Sequence, residues 1–249
     1  MKPTGTRILY EIKTLVAPYP RVALPVARWR ERRGHGEAFV RGTEIVIEGF
    51  PRTGSNFAVA AFRPAQGRPV RIAHHTHAPA NLIAAAQHRV PALVLIRDPE
   101  EAVLSCVIWH RHMSVRQALR GYVRFYQPLV PHRRRLAVAS FEEVTSDMGA
   151  VITQVNARFG TSFAEFDHTE ENVRACFEEI DRHYRGQFGS DQFEQVVARP
   201  SAERSRIKDE LRAAFRERTP ERLRARARAL HDALTREPKK VNPGHDEGR

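Results

Sequence analysis

The chain of 249 residues has only two cysteines, Cys106 and Cys176, too few and too far apart for a disulfide framework or a thiolate metal site. They read as buried thiols of a reduced compartment, which points to a cytoplasmic protein. No apolar run reaches the roughly 18 residues of a membrane span, and Glu11 and Lys13 break the one N-terminal stretch that resembles a signal peptide. Export and membrane spanning are therefore not expected, while a peripheral membrane contact is compatible with the basic N-terminus. Lysine is missing between Lys13 and Lys208, and GxxxxGK[ST] does not occur, so there is no Walker A loop. No internal repeat is visible.

What is abundant is arginine. The formal net charge is +12, and 36 of the 41 basic residues are Arg. Residues 1–38 carry a net +5 and residues 216–249 a net +4, which leaves only +3 for the segment between them. This divides the chain into an N-terminal basic arm (1–38), an α/β domain (39–215) and a helical C-terminal extension that ends in a disordered tail (216–249). Between Ala102 and Phe141 there is no acid, whereas Arg111, Arg116, Arg120, Arg124 and Arg133 to Arg135 are present. Such one-sided charge beside an anion site concentrates anionic ligands, either a cofactor or an acidic acceptor.

The strongest local signal is EIVIEGFPRTGSNF, Glu44 to Phe57. It reads as a buried strand, a tight turn at Gly49 to Pro51, and a loop of Arg52, Thr53, Gly54, Ser55 and Asn56 that opens a helix at Phe57. A strand that delivers a small-residue loop to a helix N-terminus aims unpaired backbone N–H groups at one point, where an anion is favoured. Arg52 adds a fixed fork of donors, and Thr53, Ser55 and Asn56 add short polar groups. A second signal is LVLIRDPEEAVLSCVIWH, Leu93 to His110, in which Arg97 ends a strand and Asp98-Pro99 starts a helix. Ser105 follows Arg97 by eight positions and can share a phosphate with it.

The pair of motifs resembles the sulfotransferase family that uses 3′-phosphoadenosine 5′-phosphosulfate (PAPS), in its bacterial form. The resemblance implies that Arg52, Thr53, Gly54, Ser55, Asn56 and Phe57 hold the 5′-phosphosulfate and that Arg97 and Ser105 hold the 3′-phosphate. Between the motifs, His75-Thr76-His77-Ala78-Pro79-Ala80-Asn81-Leu82-Ile83 is similar to the family's K-T-H-x-P segment, which implies that His77 is the general base. Arg204, in the stretch from Arg199 to Lys208, lies where the family closes a loop over the cofactor. Arg52 stands where cytosolic members carry lysine, and His75 where the family often has one. The family uses no metal, and the histidine cluster alone leaves a metal site or a plain surface cluster as other readings.

The implied fold is a three-layer α/β/α domain with a mainly parallel sheet, similar to P-loop nucleotide-binding folds. The expected reaction is sulfuryl transfer to a hydroxyl or amine of a small-molecule or glycan acceptor. The competing readings are a P-loop kinase acting on a nucleoside phosphate and a non-catalytic binder of anions or nucleic acid. The kinase lacks a Walker lysine, and the binder lacks a nucleic-acid motif.

Further elements follow from periodicity and caps: a strand at Val70 to Ala73, a helix at Ala80 to His88 and strands at Ala92 to Ile96 and Leu136 to Phe141. Ser114 and Ser146 are expected to cap helices, with Gly160 as a stop. Helices are also expected over Thr169 to Gln187, with Phe177 and Tyr184 on the core face, over Ser201 to Phe215, and after Thr219-Pro220-Glu221.

Overall fold

The computed structural model describes residues 3–32, 36–110, 112–187 and 202–236. Strands β1 (Ile45–Gly49), β2 (Ile72–His74), β3 (Ala92–Ile96) and β4 (Ala137–Ser140) form one all-parallel sheet in the order β2-β1-β3-β4. The strands are short and mostly apolar because both faces of the sheet are covered, with Glu48, His74 and Ser140 as polar exceptions. Alternation splits them cleanly: Ile45, Ile47, Leu93 and Leu95 face one core, and Val46, Ala92, Val94 and Ile96 the other.

The first core is closed by α3 (Ser55–Ala65), α8 (Met148–Phe159) and α9 (Glu170–Gln187), with the short α7 (Phe141–Ser146) at its rim. The second is closed by α4 (Pro79–His88), α5 (Pro99–Trp109), α6 (Val115–Tyr126) and the last helix, α11 (Glu221–Thr235). This is the expected three-layer α/β/α arrangement. Ala227, Leu230 and Leu234 of α11 are buried in the second core, so the C-terminal helix completes a layer. Cys106 and Cys176 are buried free thiols on opposite sides of the sheet, and burial pushes them up to about 12 and about 11.

Chain order fixes where a ligand fits. From β1 the chain leaves through α3 to the edge strand β2, then returns through α4 across β1 to β3. The order therefore reverses between β1 and β3, and their carboxyl ends flank the crevice where open α/β sheets bind ligands. Tyr126 of α6 pins this point from below: its hydroxyl donates to Leu95 O at 2.7 Å and accepts from Phe50 N at 3.3 Å.

Several expectations need correction. The stretch read as a basic arm, residues 1–38, holds two helices for which no secondary structure was expected, α1 (Pro3–Val16) and α2 (Pro20–Glu31). Prolines there do not forbid helix, since Pro20 opens α2, where no N–H partner is needed, and Pro25 sits on its exposed side. Helix α1 is held by Glu11, which receives Arg120 at 2.8 Å and Arg124 at 2.5 Å, so part of the acid-free arginine stripe serves as an internal clamp. Strand β2 begins two residues later than expected, and β4 stops at Ser140, which caps α7 through a capping box with Glu143. Asp147, not Ser146, caps α8 by accepting from Ala150 N. On α9 the buried residues are Cys176 and Ile180, with Phe177 half-buried against them; the side chain of Tyr184 lies outside the described residues. Helix α10 (Ala202–Arg218) runs three residues past Phe215. The tail beyond 236 lies outside the described residues.

Candidate functional site

The two loops flagged in the sequence meet at the switch point. Gly49 ends β1 where no side chain fits: a Cβ there would lie 2.3 Å from Thr53 Oγ1 and 2.7 Å from Leu95 O. The chain then turns through Arg52 at φ +74° and Gly54 at φ +94°, the residue before α3. A left-handed arginine is costly by about 1–3 kcal/mol and is typical of functional loops. The turn throws the Arg52 side chain across α5, where its Nε donates to Ser105 Oγ at 3.2 Å and its guanidinium lies 5.3 Å from the Trp109 ring centre. Arg97 closes the cluster by donating from Nη1 to Arg52 O at 3.4 Å, with its guanidinium stacked 3.8 Å from the Phe141 ring. Its Nε is buried with no partner among the described residues, and burial holds its pKa below the ordinary value. Two arginines and a serine from different crossovers thus form one basic patch.

Not every flagged residue offers its side chain there. Thr53 is wholly buried, and its hydroxyl donates back to Phe50 O at 2.8 Å, so it shapes the loop. Phe57 is core, packed against Phe166 and Phe177, and can give a ligand only its backbone N–H in the first turn of α3. Ser55 is buried, and Asn56 is bonded through Oδ1 to His75 Nε2. Arg204 is on α10, but its side chain lies outside the described residues. Beside it in sequence, Lys208 bonds Glu101 at 2.6 Å, and the same carboxylate lies 3.7 Å from Arg97. That brings α10 to the edge of the patch, while Arg206 pairs with Glu210 on its own helix.

His77 follows β2 at φ +49°, and His75 is also left-handed at φ +56°. The His77 ring is fixed by Nδ1, which lies 3.0 Å from Gly49 O. A carbonyl only accepts, so Nδ1 carries the proton and Nε2 keeps its lone pair, the tautomer a base requires. The side chain remains 27% exposed, yet burial of the ring pushes its pKa down to about 4, assisted by the charge of Lys13.

Two participants carried no recognisable sequence signal. Glu48, in β1, is fully buried, and its carboxylate accepts from Thr76 N at 2.9 Å, Thr76 Oγ1 at 2.7 Å and Asn81 Nδ2 at 3.3 Å. It anchors the T-H-x-P segment and places a carboxylate oxygen 3.7 Å from His77 Nδ1. Burial raises its pKa. The acid in IVIEG gave no sign of its partners, which lie 28 and 33 positions further along the chain. The second is Lys13 of α1. Together with Tyr10, Phe50, Pro51, Phe125 and His77 it lines a cleft between α1 and α6. Burial, then Arg30, pushes its pKa down to about 8, and its ammonium has no hydrogen-bond or ion-pair partner among the described residues. Gly121 of α6 makes room for the Tyr10 hydroxyl in the same cleft, since a Cβ there would collide with it.

The cleft carries a measurable cost. Because the folded pKa of Lys13 is lowered, the charged amine opposes folding below about pH 8, and the penalty fades as pH rises from about 8 toward 10.5. Lys13→Met should therefore gain about 1–2 kcal/mol in urea unfolding at pH 7 and less near pH 10. An equal or lower stability at pH 7 would show the amine to be better solvated than its position implies.

A separate groove at the N-terminus of α5, lined by Asp98, Glu100, Glu101, Arg224 and Arg228 among others, carries both signs of charge and no histidine. Among the described residues no group of three His, Cys, Asp or Glu side chains is arranged to hold a metal ion; His74 contacts Glu37 and Arg63 instead. No family model matches the chain, and no curated protein matches it at a significant level.

Proposed function

We propose that the protein is a sulfotransferase that moves the sulfuryl group of PAPS to a hydroxyl or amine of an acceptor, using a P-loop-like fold without a Walker lysine. The observation that supports this reading best is the convergence of Arg52, Arg97 and Ser105 at the switch point, one strand away from a histidine held in its basic tautomer. A nucleotide with two separated anionic groups suits two strand-end loops that share one basic patch.

In this reading the first-turn N–H groups of α3 and Arg52 hold the 5′-phosphosulfate, and Arg97 with Ser105 takes the 3′-phosphate. The Nε of Arg97, which has no partner among the described residues, is a donor suited to a phosphate oxygen. The acceptor sits in the α1–α6 cleft, with its O–H directed at His77 Nε2. As the acceptor oxygen attacks sulfur in line, Nε2 takes the proton and the S–O bond to the 5′-phosphate breaks, releasing adenosine 3′,5′-bisphosphate. Charge grows on the bridging oxygen, where Arg52 and the helix N-terminus are placed to stabilise it. Lys13 supplies beside His77 the cation that His75 does not.

The test is thermal shift with adenosine 3′,5′-bisphosphate against ATP and single-stranded DNA. The bisphosphate at 100 times its Kd should stabilise by about 2.7 kcal/mol, with little effect of the others. Arg97→Ala should abolish the shift. Stabilisation by DNA or ATP alone would refute the assignment.

A further inference from the structure

Helix α1 has two faces with different duties. Tyr10, Lys13, Thr14 and Ala17, spaced as one helical stripe, turn inward and line the cleft. On the other side Ile8, Leu9, Ile12 and Leu15 are 52–58% exposed. The pattern continues at spacings of three and four through Tyr19, Val22, Val26 and Trp29, which are 50–63% exposed. Among the described residues only one other large apolar side chain is open, Val130 at 39%. Ala17, just past the end of α1, and Ala23 of α2 pack together on Ala78 and Ala80 at the start of α4, so the two helices are neighbours, α1 lying against α6 and α2 against α4.

An apolar surface of this extent marks an interaction site. Its surroundings are predominantly basic: Arg7, Arg21, Arg28 and Arg32 are exposed against a single exposed acid of the two helices, Glu31 at the end of α2, while the acid of α1, Glu11, is turned inward onto Arg120 and Arg124. Tyr19, which precedes α2, and Trp29, in its last turn, are the residue types that settle at the headgroup level of a bilayer.

We propose that α1 and α2 dock on an anionic lipid membrane, with their apolar stripe in the headgroup-acyl boundary and their arginines on lipid phosphates. No helix of the described residues is long and apolar enough to cross a membrane, so these helices lie on the surface. A second copy of the chain is the other occupant to weigh, but a two-fold contact would press two arginine rims of like charge together. Lipid phosphate complements the same rim. The docking does not require sulfuryl transfer. Where both hold, the His77 cleft lies about one helix diameter, roughly 10 Å, from the lipid, within reach of a headgroup hydroxyl.

The experiment is flotation of the full chain with vesicles of phosphatidylcholine and phosphatidylglycerol, compared with phosphatidylcholine alone. At least ~10-fold more protein should float with the anionic vesicles, and added salt should reduce that excess. Ile12→Ser with Leu15→Ser, and separately Arg21→Glu with Arg32→Glu, should lose binding while circular dichroism and the thermal midpoint stay as in the parent. Failure of the parent chain to float, or unchanged flotation of the Ile12/Leu15 variant, overturns the proposal. So does a dimer in sedimentation equilibrium that the same variant dissociates without any vesicle binding, which would assign the face to a second copy.

Discussion

Turnover of His77→Ala is expected to fall by roughly 10²–10⁴ while affinity for adenosine 3′,5′-bisphosphate stays within about threefold of the parent. The ring is held by Gly49 O and lines the cleft, while the patch is held by bonds among Arg52, Ser105 and Arg97, so chemistry and nucleotide binding should separate. The measurement is transfer of labelled sulfate from PAPS to an acceptor found by screening, with bisphosphate binding by calorimetry alongside. In the parent, a base with its pKa pushed down to about 4 is neutral above that value, so the rate should rise through pH 4 and not through 6.5. Lys13, pushed down to about 8, must be protonated to act, so the rate should fall as pH passes 8. Lys13→Arg should move this alkaline limb upward. Full activity in His77→Ala would remove the base from the scheme.

The largest structural effect should come from Glu48→Ala, with a loss of about 3–5 kcal/mol and a thermal midpoint roughly 6–20 °C lower. The substitution leaves Thr76 N, Thr76 Oγ1 and Asn81 Nδ2 facing a void instead of a carboxylate. Glu48→Gln keeps the volume and one acceptor oxygen and should cost less. The sign of the pH dependence follows from the raised pKa of Glu48. The folded state holds the proton more tightly than the unfolded chain, so this group stabilises at low pH. That contribution is lost as pH rises from the ordinary carboxylate range through the raised value. The Gln variant should lack this component, and calorimetry from pH 4 upward would reveal it. Identical pH profiles for parent and Gln variant would mean that Glu48 titrates normally.

Much of the local structure was legible because its causes sit within a few residues of one another. Helix α5 begins where Asp98-Pro99 predicts, with Asp98 accepting from Glu101 N, and ends at Trp109. Ser114 and Gln117 form the capping box that starts α6, and Gly160 stops α8 in a left-handed turn. The N-terminal helices were not legible, because their prolines argued against helix and their apolar residues, being exposed, gave no sign of a core. Nor could the sequence tell which loop residues face a ligand. Thr53 and Phe57 fit the motif as well as Arg52 does, yet their side chains are consumed by the turn and the core.

The sequence by itself determined most strands, the helices that follow them and the two basic loops, since hydrophobic period, caps and small-residue turns act over distances of a few residues. Only the tertiary structure decided what those loops share. Arg52 meets Ser105 across 53 positions, and Arg124 meets Glu11 across 113. It also set Glu48 under the histidine segment and brought Lys13 into the cleft. Side chains so far apart in the chain leave no joint periodic signal, and a buried carboxylate differs from a solvated one only once its surroundings are assembled.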